Sequence, residues 1–269
     1  FAEAIKKRNK SEILRAFERH KKNFPEIFKL VTEFWILIID NKKDEAFRLI
    51  NSISINNEAQ LQIINYNQLL AYVYFNEYEQ AKTLYENMEF SNFLFDSESA
   101  LALAQYFQKY KESGVSESII SKAWSASENA YYVEAFKNKL SNGEVSDVIR
   151  ITPYKQIAEV FFRWSQSIQR AEQNIINKSF YLSLANFIDP TSSFLKFNLA
   201  TILSDTGNYG LSKEILDNFS NDDVFFMDSI VENSFAIEQL DSNESALEYI
   251  EQFIIDGYAN ARLLKTYGS

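Results

Sequence analysis

The chain has no cysteine, a single histidine, three prolines and six glycines in 269 residues. Without cysteine there is no disulfide, no thiolate nucleophile and no sulfur-ligated zinc, and the compartment stays open because reducing and oxidising locations both admit such a chain. His20 stands in the basic run EILRAFERHKK with no carboxylate cue beside it. Catalysis with a histidine base therefore has no candidate, and His20 reads as an exposed helix residue. So few Gly and Pro cannot punctuate many short strands, which favours a mostly helical chain. Phe34–Ile39 (FWILII) is far shorter than the ~20 apolar residues of a membrane-spanning helix and reads as a buried helix face. No glycine-rich phosphate loop occurs.

What is present is apolar and aromatic: 46% hydrophobic residues, with 23 Phe and 15 Tyr, enough for a large core. Charge is uneven. Residues 1–29 hold nine Lys/Arg against four acids, a net of +5, so the rest of the chain carries −15 within a total of −10. An acidic body opposes nucleic acid as the main ligand, and an RNA-binding repeat would need a basic inner face. The basic start reads as a solvated helix face, with a docking patch for an acidic partner or a membrane surface as the sharper alternative. Acid pairs such as Asp222–Asp223 and Glu77/Glu79 fall at predicted helix starts, where they serve as caps more readily than as catalytic acids or cation ligands.

Self-similarity decides the architecture. The segments Asn41–Leu49, Asn76–Leu84, Gly207–Ile215 and Asp241–Leu247 align, with small residues at Ala46, Ala81, Ser212 and Ala246. The first two are 35 residues apart and the last two 34. A small residue is expected where two helices of a hairpin cross closely. Twelve residues before each anchor, the partner position holds Ala200 and Ser234 in the later units but Phe34 and Leu69 in the earlier ones, which predicts a wider crossing near the N-terminus.

These units resemble tetratricopeptide repeats on Ala200, Tyr209, Ser212 and Leu216, on Ser234, Ala246 and Ile250, and on Ala185 with Pro190. The stretch 157–219 also looks like exported tetratricopeptide proteins of alphaproteobacteria, by general pattern. The resemblance implies an all-α, right-handed α-solenoid of about eight stacked hairpins over residues 1–269. Residues 130–152 form a compressed unit in this reading, Thr152 caps a helix opened by Pro153, and Tyr258–Ser269 begins a further first helix of a longer chain.

Such a stack implies a non-enzymatic scaffold or adaptor without cofactor or metal. It would bind a protein or peptide on the concave face, in an envelope complex if the bacterial likeness holds and in the cytoplasm otherwise. Counting back from the anchors places Trp35, Tyr66, Tyr74, Phe197 and Asp205 toward that face, with Arg163 and Arg170 placed to meet acids on a partner. The Lys/Asn clamp for a terminal carboxylate is missing from these positions. A helical toroid enzyme using acidic residues is the alternative; it would break the ~34-residue period with a catalytic loop.

Overall fold

A computed structural model describes residues 1–52, 57–88, 98–123, 137–138, 141–142, 150–168, 175–258 and 261–268. Among these residues the chain is all-helical, without a strand. Fifteen α-helices follow one another: α1 (Ala2–Lys6), α2 (Lys10–His20), α3 (Glu26–Ile39), α4 (Lys43–Asn51), α5 (Glu58–Tyr74), α6 (Tyr78–Glu86), α7 (Glu98–Lys109), α8 (Ser113–Ala123), α9 (Pro153–Ser167), α10 (Ile175–Ile188), α11 (Ser193–Asp205), α12 (Tyr209–Leu216), α13 (Phe226–Leu240), α14 (Asn243–Phe253) and α15 (Ala261–Gly268). Consecutive helices pack as hairpins. Most of residues 130–152, the expected compressed unit, lie outside the described residues.

One corner is built five times: first at Arg8, φ 52°, where the Asn9 amide reaches Ala4 at 3.2 Å and the large Ile13 is fourth in α2, and then at four later corners that carry a small residue there. Asn41, Asn76, Lys111 and Gly207 each take the left-handed conformation, at φ 63°, 58°, 64° and 75°. The next amide reaches back five residues, from Lys42 to Leu37, Glu77 to Tyr72, Glu112 to Phe107 and Asn208 to Leu203, at 2.8–3.0 Å. This is a Schellman closure, whose last residue is also the cap of the following helix, so the two helices are joined by almost no loop. The fourth residue of the second helix is then Ala46, Ala81, Ser116 or Ser212, and each is fully buried. Ser116 follows Ala81 by 35 residues and is an anchor the sequence reading did not pick out. In the last hairpin Ala246 holds the same place, but the corner differs: Asp241 has φ −133° and Ser242 caps α14 through the Ser245 amide at 3.1 Å.

Caps explain several helix starts. Thr152 accepts the Lys155 amide with Pro153 in the first turn, as expected. Asn57 and Ser192 do the same for α5 and α11. The helix expected over residues 223–240 begins three residues late, because Asp223 accepts the Phe225 amide at 3.0 Å and holds a turn before Phe226. After α14 the chain widens into a π-turn over Ile254–Tyr258, where Gly257 has φ 92°.

The expectation that each unit touches only its neighbours needs correction. α3 packs against α9 and α1 against α10, across more than a hundred residues of sequence. Trp164 is the hub. It lies 5.3 Å from Phe24, stacks on Phe28 at 5.9 Å and on Tyr181 at 4.1 Å, while Phe1 reaches Phe161 at 6.3 Å. The physical reason is apolar surface: α3 and α5 present Phe28, Val31 and Tyr66 toward Val160 of α9, while Phe161 of the same helix meets Phe1 and Phe24. One core runs from Ala4 to Phe225; a smaller one joins Ile230, Ile250 and Leu263 at the C-terminal end.

Candidate binding cleft along the ninth helix

Helix α9 is buried along most of its length, yet it carries Gln156, Glu159 and Arg163 on one side, at spacings of three and four. That spacing puts them in one row on a helix. Ser99, in the first turn of α7, hydrogen-bonds both Gln156, whose Nε2 donates at 3.0 Å, and the Glu159 carboxylate. Arg163 donates Nε and Nη2 to the other Glu159 oxygen at 3.2 and 2.9 Å, and its guanidinium lies 5.4 Å over the Tyr66 ring. A polar seam therefore ties the first half of the chain to the second, with both Glu159 oxygens engaged.

The seam separates two openings. Toward the N-termini of α7, α9 and α11 lies a narrow cleft of about 30 Å³, edged by Arg150, Lys155 and Asp189 and lined by Phe162 and Phe194. Lys155 Nζ faces Asp189 Oδ2 at 3.8 Å, a loose pair. Asp189 is fixed by accepting the Thr191 hydroxyl at 2.6 Å. On the other side a smaller apolar pocket of about 20 Å³ lies between Phe28, Ile63, Tyr66 and Val160. Among the described residues no group of three or more His, Asp or Glu side chains could hold a metal ion.

The expected groove residues scatter. Trp35 and Tyr66 are both fully buried: the Trp35 indole donates to Asn67 Oδ1 at 2.7 Å, and Tyr66 lies in the lining of the pocket beside Val160. Arg163 faces Glu159 of its own helix where an external acid was expected. Tyr74 is 42% exposed and packs edge-on against Phe75. Phe197 is half-buried, stacked on Phe225 at 5.4 Å, and Asp205 is exposed at the end of α11. Arg170 lies outside the described residues. His20 is exposed on α2, and Asp223 serves the turn before α13 and accepts the Ser193 hydroxyl. Lys155, Gln156, Glu159 and Ser99 were missed; the signal was the polar 156/159/163 row inside an otherwise apolar helix.

A second polar feature ties neighbouring corners. Lys43 pairs with Glu77, Tyr110 donates to Asn76 at 2.8 Å, and Tyr78 and Lys82 both donate to Glu112 Oε1 at 2.6 Å. The Tyr78 and Tyr110 rings stack at 4.4 Å. The Lys82 hydrogen bond, then that of Tyr78, holds the Glu112 carboxyl below its ordinary range; the same contact raises Lys82.

Compared with protein-family models, curated proteins and solved structures, the chain matches none.

Proposed function

We propose that the chain is a non-enzymatic helical-repeat scaffold of tetratricopeptide-like hairpins in a right-handed stack, which takes an extended segment of a protein partner at the cleft beside α9. The recurrent corner carries this reading: a Schellman closure followed by a small anchor at 34–35-residue spacing is what stacked hairpins require. The likeness of residues 157–219 to exported proteins suggests the cell envelope as the place of work.

The cleft suits a peptide better than a reacting substrate. Its carboxylates are engaged, by Arg163 and Ser99 at Glu159 and by Thr191 at Asp189, while Lys155 and Arg150 stand at its edge beside apolar Phe162 and Phe194. A mixed lining of this kind recognises side chains and backbone through a few anchors.

A photo-reactive amino acid at Lys155, compared with one at exposed Glu214 on α12, tests the reading in cells that make the chain. Partner peptides cross-linked at Lys155 and not at Glu214 support it. Equal labelling at both positions, or none at Lys155, refutes the cleft as the docking site.

A further inference from the structure

Helix α10 is poor in charge. In a chain with 37 acids it has none, and Lys178 is its one charged residue. Ile176, Phe180 and Phe187 are 73%, 55% and 37% exposed. At four and eleven residues on, these positions fall within about 40° of one another around the helix and span about 16 Å along it. Ser183 completes the strip and is also exposed. Neither of the two clefts described above includes these side chains, which stand exposed along one helix.

Cations stand beside this ridge. α1 packs on α10 and sets the Lys6 ammonium 4.1 Å from the Phe187 ring centroid. Lys7 and Arg8 follow; Lys7 pairs with Glu3, and Arg8 lies over Tyr154 at the start of α9. These belong to the segment 1–29, whose +5 opposes −15 in the remainder, so the ridge adjoins the basic segment of the chain.

We propose that this face, Ile176, Phe180 and Phe187 of α10 with Lys6 and Arg8 beside them, docks the protein on an anionic lipid surface. Interfacial binding combines apolar and aromatic side chains sunk to headgroup depth with lysines or arginines that meet lipid phosphates. The acidic body turns the basic segment toward such a surface by the same field. An exposed ridge fits a plane of headgroups, whereas a partner helix would look for a groove. The inference does not rest on the cleft beside α9, although Lys155 and Asp189 of that cleft are close in sequence to Tyr154 and Phe187.

Vesicle sedimentation of the full chain tests it, with phosphatidylcholine alone and with phosphatidylcholine containing phosphatidylglycerol. Binding is expected to the anionic vesicles at low salt and to fall steeply in high salt. Phe180→Glu is expected to lower it about tenfold and Lys6→Glu about fivefold, with helicity and melting unchanged because both side chains are exposed. No sedimentation with anionic vesicles, equal sedimentation with neutral ones, or undiminished binding by Phe180→Glu overturns the proposal. Binding of the chain to an acidic amphipathic peptide in place of vesicles, lost in the same variants, would assign the face to a protein and overturn it equally.

Discussion

The hydroxyl of Ser212 donates to the carbonyl of Ala200, twelve residues earlier, at 2.8 Å, while the Ser204 hydroxyl donates to Ser212 at the same distance. The two helices of that hairpin touch through backbone at this point, which is why both positions hold small residues. Ser116 sits at the equivalent place in the α7–α8 hairpin, with Ala104 twelve residues before it, but its hydroxyl is buried with no hydrogen-bond partner. The two serines should therefore answer oppositely to alanine. Ser212→Ala is expected to lose about 1 kcal/mol and Ser116→Ala to gain about 1 kcal/mol, because a buried unpaired hydroxyl is removed. Urea unfolding of both variants gives the signs; the same sign for both would contradict the assignment.

Lys111 holds a left-handed backbone at φ 64° where Asn41, Asn76 and Gly207 serve the other later corners. A residue with a Cβ is strained there, so Lys111→Gly is expected to raise stability by about 1 kcal/mol, read as a higher melting temperature. A loss of stability would mean that the Lys111 side chain makes a contact outweighing the strain.

Glu159 and Arg163 are both nearly buried, the side chains 13% and 7% exposed. Glu159→Gln takes away the carboxylate facing the guanidinium and should cost about 3 kcal/mol. Replacing both, Glu159→Gln with Arg163→Met, should recover most of it, since no buried guanidinium is then left without its carboxylate. A double variant as unstable as the single would show that Arg163 contributes through Tyr66 and packing instead.

Tyr249 gives a pH signature. Burial is the main cause pushing its phenol up to about 12 from an ordinary 10.0; the Asn233 amide, donating to its oxygen at 3.0 Å, works the other way. Because the folded value lies above the unfolded one, this stabilisation is complete below pH 10 and is lost as pH rises through about 12. Tyr249→Phe should flatten that alkaline decline relative to the parent chain, in a comparison of urea midpoints across this range. Parallel curves would refute a protonated, desolvated Tyr249.

The hairpins were legible because their signal is local. Ala46, Ala81, Ser212 and Ala246 mark the fourth residue of their helices, and Asn41, Asn76 and Gly207 mark the corners by residue type. Ser116 was hidden because Lys111 does not look like a left-handed corner residue. The anchor count set Trp35 and Tyr66 on the concave face, but their burial was not readable from it. α9 lies more than a hundred residues beyond α3, and no periodicity within a hairpin reports a partner that far along the chain. The same reason concealed the seam, since Glu159 with Arg163 looks like any surface pair at a spacing of four until Ser99 and Tyr66 are placed beside it.

The aromatic junction at Trp164 bears on synthesis. A stack whose units touch only neighbours can settle from its first hairpin onward as it leaves the ribosome. Here Phe24, Phe28 and Val31 wait for α9, so a nascent chain ending at residue 123 holds its greasiest helix faces bare. Truncation before residue 153 should consequently yield aggregates, and a chaperone holding the early hairpins would be needed until the ninth helix emerges.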